Sequence, residues 1–323
     1  MPRLPPAAGV ALVALLLSAV FFLSLPGTTL WQRVVQDAGH GPVFAGIAIA
    51  LLLMRPPPAG AVVRPVSAYG RAFAWATVIG IVTELIQFSM PGRSVSLMDA
   101  LHDAAGAALG LAVVWFVERR RAGGHGDACG GSHARIVLAI ALLAFTILAW
   151  QPLQCARAYA ARNAAFPTLV PTGPLADESF VQPHDAGVSY APLPDQYRQP
   201  GDRESVRLEF TPGTAPGLQL IEPYPDWRNH DVLAIDVTNP GPGPVTFVVR
   251  VHDAQHDMSH EDRFNQPVEI PAATRTTIRI SLQAVATAPA HRRMDLGAVR
   301  DLMLFAPQPL PVGEFYVTRI WLE

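Results

Sequence analysis

Between Thr83 and Gly106 the sequence TELIQFSMPGRSVSLMDALHDAAG sets Glu84, Gln87, Arg93, Asp99, His102 and Asp103 at or inside the ends of two strongly apolar runs. His40 stands at the polar end of an earlier apolar run. An ionisable side chain deep in hydrocarbon costs roughly 2.5–3.5 kcal/mol on insertion scales, so an apolar helix keeps one only where it meets a partner, a cavity or the interface. Three chemistries are open to this set. As structure, Glu84 pairs with Arg93 while Asp99 satisfies free N–H groups at a helix start. As a binding site, the group takes an anionic or lipid-linked headgroup, with Arg93 donating to phosphate. As a catalytic site, Glu84 is a general base, and His40 or His102 is an acid or metal ligand. A zinc set of His40, Glu84, Asp99 and His102 draws on three helices and no spacing demands it, so no metal and no cofactor is assigned. The sequence holds no serine elbow, phosphate-cradling glycine loop or H-E-x-x-H.

The elements that must carry these residues are apolar helices. Helices are expected near residues 8–26, 34–54, 72–90, 97–117 and 136–150, each long enough, or nearly so, to cross about 30 Å of hydrocarbon. The first follows Arg3 but has no small-x-small cleavage site after it, so it reads as an uncleaved helix rather than a signal peptide. The second is apolar only from Val43 to Met54; extended back to Val34 it takes Gln36, Asp37 and His40 into its outer turns. Glu84 and Gln87 are three apart and share a face, as do Asp99, His102 and Asp103. Gly106 and Gly110 supply a small-x-x-x-small strip for close helix contact.

Arginine counts orient the helices. With the amino terminus inside, Arg3, Arg55, Arg64, Arg71, Arg119, Arg120, Arg121 and Arg135 lie inside, against Arg33 and Arg93 outside. Eight against two is a positive-inside bias. The polar group then gathers at the outer face, with residues 152–323 on the same side.

The E-x-x-Q pair at Glu84 and Gln87, the P-G-R turn ending at Arg93, then Asp99 and the Gly106/Gly110 pair, with His40 on the preceding helix, resemble the VanZ-like family of membrane proteins. The resemblance covers about residues 31–121. One departure is that the family usually carries Asn where this chain has His102 or Asp103. The resemblance implies a location in the cell envelope. Because the family is named for a glycopeptide-resistance protein, it also implies a link to envelope-targeting antibiotics.

The chain has 323 residues, half of them hydrophobic and 15% charged, with a mean hydropathy of +0.25. Those averages hide a break near residue 152, after which the chain is Pro-rich and polar. The formal net charge of −2 and the lack of a basic stripe exclude nucleic acid as a partner. Two cysteines make no disulfide framework, and Cys129 and Cys155 fall on opposite sides of the expected membrane.

Residues 152–175 read as a linker. Within it QCARAYAARNAA is a candidate short interfacial helix and FPTLVPTGP is held extended by its prolines. Beyond lie period-two sets: Val206/Leu208/Phe210, Leu233/Ile235/Val237, Val245/Phe247/Val249/Val251 and Ile278/Ile280/Leu282, then DLMLF and EFYVTRIWLE. Short strands with turn signals such as NPGPGP point to an antiparallel sandwich over residues 176–323.

DWRNHDVLAIDVTNPG, HEDRFNQPVEIP and RRMDLGAVRDLMLF resemble the jelly-roll, galactose-binding-like sandwiches found as carbohydrate-binding modules, over about residues 203–323. The resemblance implies a saccharide surface, for which Trp227, Asp262, Arg263 and Asn265 are candidates. Trp227 and Phe264 equally suit the core, and Arg263 and Asn265 equally fix a loop. His252, His256 and His260 recur every four residues but fall in a polar connection, and Asp253, Asp257, Glu261 and Asp262 form a possible calcium set.

The expected fold is thus a membrane all-α bundle of about five helices (residues 1–151) followed by an all-β antiparallel jelly-roll sandwich. The expected partners are the lipid bilayer and a glycan or lipid-linked headgroup. The expected setting is a bacterial inner membrane, with the amino terminus cytoplasmic and the sandwich outside.

Overall fold

The computed structural model describes residues 4–22, 29–58, 63–88, 97–122, 130–210, 213–311 and 313–323. They fall into two compact units, Met1–Cys155 and Ala156–Glu323.

The first unit is helical. α1 (Pro6–Phe22) is apolar throughout. α2 (Leu30–Ala38) starts in a capping box, in which Thr29 accepts from the Gln32 amide and the Gln32 side chain accepts from the Thr29 amide. Gly39, itself helical in backbone (φ −62°, ψ −24°), joins α2 to α3 (His40–Leu53). The run expected over 34–54 is therefore two helical pieces that together begin four residues earlier. α4 (Val66–Phe88) and α5 (Leu97–Arg121) follow, and both exceed their expected spans. Their core is Phe44, Ile47, Ala48 and Leu52 of α3 against Ala72 and Ala76 of α4 and Ala107, Leu111 and Val114 of α5.

The last helix departs most from expectation. α6 runs unbroken from Gly130 to Ala165 with Pro152 inside it. The expected end at residue 150 and the separate short helix in the linker are thus replaced by one element of about 54 Å at 1.5 Å per residue. Proline removes one backbone bond and crowds the preceding turn, yet the apolar run before it and the Ala-rich run after it both favour helix. Among the described residues, four helical stretches, Leu30–Leu53, Val66–Gln87, Leu97–Arg121 and His133–Ala165, are long and apolar enough to cross a membrane, and Pro6–Phe21 is a shorter apolar one.

The second unit is an antiparallel β-sandwich. Its strands are β1 (Thr168–Val170), β2 (Val181–His184), β3 (Ala186–Ala191), β4 (Ser205–Phe210), β5 (Gly217–Ile221), β6 (Val232–Asn239), β7 (Val245–Asp253), β8 (Phe264–Ile270), β9 (Thr274–Ser281), β10 (Val299–Phe305) and β11 (Gly313–Leu322). Two short helices, α7 (Pro174–Phe180) and α8 (Leu282–Ala286), interrupt them. One sheet has the order β3-β4-β11-β6-β9, with β1 also pairing β11, and the other has β2-β5-β10-β7-β8. The sandwich thus starts at Thr168, inside the expected linker. Every period-two set read from the sequence lies on a strand with its apolar members in the core, except that Val245 is only half-buried at the start of β7 and Leu282 opens α8, still buried. Phe247 and Phe315 meet across the sheets with ring centroids 4.5 Å apart.

Candidate functional site

The end of α4 is inverted relative to a helix in water. Glu84 and Gln87 are each 4% exposed, while Leu85 and Ile86 between them are 61% and 45% exposed. The start of α5 repeats the pattern: His102 and Asp103 are buried, and Leu97, Met98 and Leu101 face outward. Apolar-out and polar-in is the arrangement hydrocarbon selects, because a charged group there has to face protein or a wet cavity. α6 agrees, with Ile136, Leu138, Ile140, Leu142, Leu143 and Phe145 all at least 45% exposed.

Three helices bring their polar groups together. His40 opens α3, and its Nδ1 lies 3.1 Å from Oδ1 of Asp103, in the second turn of α5. Glu84, from the last turns of α4, completes a set of His40, Glu84 and Asp103 whose ligand atoms all lie within 4.8 Å of one another. Glycine makes this approach possible. A Cβ on Gly106 would run into the Gly41 backbone, and one on Gly110 would stand 2.9 Å from the Ala45 Cβ. The strip read from the sequence therefore joins α5 to α3, one turn beyond Asp103.

The other candidates are distributed differently. Asp99 sits in the first turn of α5. His102 is fully buried, with neither ring nitrogen bonded among the described residues, and stands outside the three-donor set. The zinc set weighed from the sequence is thus altered, with Asp103 taking the place of Asp99 and His102. Arg93, and with it the Glu84–Arg93 pairing, lies outside the described residues, as does Cys129; Cys155 is buried.

A second polar group went unread in the sequence. Glu118, near the end of α5, forms a buried ion pair with Arg64 and accepts from Tyr69 Oη at 2.8 Å and from the Arg64 amide at 3.2 Å. In the sequence Arg64 reads only as a loop charge. The signal for its partner was one acidic residue inside the otherwise basic FVERRR.

On the sandwich, Trp227 is fully buried and its Nε1 donates to the Tyr224 carbonyl at 2.7 Å, so it offers no face to a ligand. Phe264 is also core. The calcium set has a protein cation in its place. Arg292 donates to both oxygens of Asp253 at 2.6 and 2.7 Å and to both of Asp262 at 2.5 and 2.8 Å. His256 and Asp257 stand close to Asp262 as well. Through Arg292's bonds the Asp262 carboxyl is held down at about 2. His252 belongs to β7, not to a connection, and its ring packs 4.5 Å from that of His256.

Strand alternation then gathers a polar face on the second sheet. With Val249, Val251, Leu302 and Leu304 in the core, Arg250, His252 and Asp301 point the other way. Asn265 pairs with Arg250 in register, and Arg263 precedes β8. Asp301 accepts from Gln219 at 2.5 Å; burial raises its carboxyl to about 6. Burial, then the neighbouring His256 and Arg250, lowers His252 to about 4.

The outer face of the first sheet carries a groove of about 560 Å³ lined by Asp202, Asp236, Arg275, Thr318, Arg319 and Trp321 among others. Arg275 bridges Asp202 and Asp236 at 2.6 Å each, and the Arg319 guanidinium lies 4.8 Å from the Trp321 ring centre. A register shift between Val317 and Arg319 on β11 turns Arg319 and Trp321 outward. From the sequence alone this stretch reads only as the last strand.

No protein-family model matches the chain, VanZ-like or other, and no curated protein matches it. The sandwich is similar in fold to carbohydrate-binding modules among solved structures. One is a family 11 module from Clostridium thermocellum in complex with a β-1,3-1,4-mixed-linked tetrasaccharide, at 15% identity and a TM-score of 0.32, over 44% of this chain and 86% of that one. Another is a family 29 module from Piromyces equi, at 12% identity and a TM-score of 0.29, over 44% and 78%. An exo-β-agarase matches at 15% identity and a TM-score of 0.36 over 45% of this chain, which spans only 23% of the agarase's length. The likeness is one of fold.

Proposed function

We propose that this chain is a VanZ-like, multi-pass protein of a bacterial cytoplasmic membrane that recognises a glycan or lipid-linked headgroup at the outer leaflet. Its amino terminus is cytoplasmic and its sandwich extracytoplasmic. The observation that carries the reading is the burial of Glu84, Gln87, His102 and Asp103 beneath an outward-facing apolar surface. Groups kept at such depth serve a partner, and hydroxyl or phosphate oxygens fit their donors and acceptors. In the sandwich, the groove around Trp321 supports the same reading. An aromatic face beside Asp and Arg side chains suits a saccharide, whose ring stacks while its hydroxyls bond. A link to envelope-targeting antibiotics rests on the family resemblance alone.

Mass spectrometry of lipids co-purifying with the detergent-solubilised protein tests the helical half. Wild type is expected to carry a lipid or glycolipid that Gln87→Leu and Arg93→Ala lose while remaining folded; identical lipid profiles overturn the reading. Binding of soluble glycans to wild type and Trp321→Ala tests the sandwich.

A second reading is favoured by the 3.1 Å His40–Asp103 contact, since a carboxylate that orients an imidazole is an acid–base device. The chain would then be an enzyme acting on a lipid-linked or cell-wall substrate through Glu84, His40 and Asp103, with Asp103 in the place that Asp99 holds in the sequence reading. Glu84→Gln would abolish turnover and leave ligand affinity nearly intact. A structural anchor for the sandwich would instead tolerate that change, apart from effects on folding.

A further inference from the structure

We propose that His40, Glu84 and Asp103 hold a divalent metal ion of the zinc or manganese class. The three donors are one imidazole nitrogen and two carboxylate oxygens from α3, α4 and α5, all within 4.8 Å of one another. Ligands on a tetrahedral ion with bonds near 2.0–2.1 Å stand about 3.3 Å apart. Nδ1 of His40 and Oδ1 of Asp103, at 3.1 Å, already meet that separation. The remaining donor, within 4.8 Å, has to close by at most about 1.5 Å as the ion enters, a side-chain adjustment within one cluster.

A separate observation points to a cation. Asp103 is 1% exposed, and its second oxygen, Oδ2, has no hydrogen-bond partner among the described residues. Such an oxygen has lost hydration without replacement, a state that buried carboxylates avoid by pairing or by coordinating metal. Glycine fixes the surroundings. Gly80 of α4 lies so close that a Cβ there would stand 2.8 Å from Oδ2, and the Gly41–Gly106 contact sets the α3–α5 distance. Asp103 is thus held in place on two sides.

The donor set selects the ion. Calcium and magnesium prefer all-oxygen shells, whereas an imidazole beside carboxylates suits zinc, manganese and their neighbours. Two carboxylates, a neutral imidazole and a divalent ion sum to zero charge, the state a low-dielectric interior favours. Three protein ligands leave at least one position for water or for an oxygen of a ligand, the pattern of a working rather than a purely structural site. The inference shares its residues with the proposed headgroup site but does not depend on a headgroup.

The test is metal stoichiometry of the full chain in detergent, stripped with chelator, incubated with Zn²⁺ or Mn²⁺ and passed through gel filtration before elemental analysis. Wild type is expected to retain about one ion per chain, as is Leu85→Ala, whose side chain faces outward. Asp103→Asn and His40→Gln are expected to retain at least tenfold less. In case a variant does not fold, stripped wild type is also melted with and without the same ion, which is expected to raise its unfolding temperature. Wild type below a tenth of an ion per chain with an unshifted melt overturns the proposal, as do folded variants that keep the wild-type stoichiometry. Lipid profiles of the same preparations read the headgroup separately, so either idea can fail alone.

Discussion

Gly106 of α5 packs directly on the backbone of Gly41 of α3, leaving no room for a side chain, and the residues that meet beside this contact are His40 and Asp103. The polar cluster exists because two helices approach to backbone contact. Gly106→Ala has to push α5 away from α3, and overpacking of this kind costs about 1–3 kcal/mol. Thermal unfolding in detergent is expected to fall most for Gly106→Ala and less for Gly110→Ala, whose Cβ would stand 2.9 Å from the Ala45 Cβ. Gly70→Ala, with nothing within 4 Å, is expected to be neutral or slightly stabilising through helix propensity. Equal effects at all three glycines would sink the account.

The buried Arg64–Glu118 pair gives a second prediction. Arg64 is 5% and Glu118 3% exposed, so removing one partner strands a buried charge, a loss of roughly 3–5 kcal/mol. Glu118→Leu and Arg64→Leu are each expected to lower stability sharply. The double variant should lose less than either single one, because it leaves no charge behind. Additive losses in that double-variant cycle would mean the pair is not coupled.

Asp301 and His252 face each other in register on β10 and β7, and their titrations oppose. Burial raises Asp301 to about 6, so its folded state holds a proton more tightly than the unfolded chain. That contribution grows as pH falls from about 6 towards the usual 3.8, and is lost as pH rises through 6. Burial lowers His252 to about 4, so stability falls as pH drops from 6.5 towards 4. Over this range the two contributions oppose each other in the wild type. Unfolding of the sandwich, followed by tryptophan fluorescence between pH 4 and 6.5, should uncover each slope. Asp301→Asn is expected to lose stability towards pH 4, and His252→Gln to gain it. Variants with the wild-type slope would show that these two groups do not set it.

Arg292 gives a fourth prediction. Its bonds hold Asp262 at about 2 and keep Asp253 below the ordinary carboxylate range. Carboxyls depressed in the folded state stabilise above their unfolded value of 3.8, and that stability is lost as pH falls towards 2. Arg292→Met removes the depression and leaves Asp253, whose side chain is fully buried, without its cation. The acid-unfolding midpoint is expected to move to higher pH, and the melting temperature at pH 7 to fall. An unmoved acid midpoint would mean that other carboxyls govern acid unfolding.

Periodicity and length were enough to read the architecture. Apolar runs near 20 residues announced the helices, and alternation at Leu233/Ile235/Val237 or Phe247/Val249/Val251 announced core strands, because both patterns are local consequences of how a backbone places side chains. The Gly106/Gly110 strip and the shared face of Glu84 and Gln87 were legible for the same reason. Three-dimensional packing decided the rest. That Asp103 rather than Asp99 meets His40 depends on where α5 crosses α3, which the Gly41 contact sets across 65 positions of sequence. That Arg64 finds Glu118, Arg292 bridges Asp253 and Asp262, and Trp227 is core while Trp321 faces out are likewise long-range facts. The helix expected over residues 136–150 continues through Pro152 to Ala165. The strands β2, β3 and β5 carry weak alternation and form because neighbours supply their hydrogen bonds. Local sequence encodes which face of an element is apolar; which element that face meets is decided by packing among residues far apart in the chain.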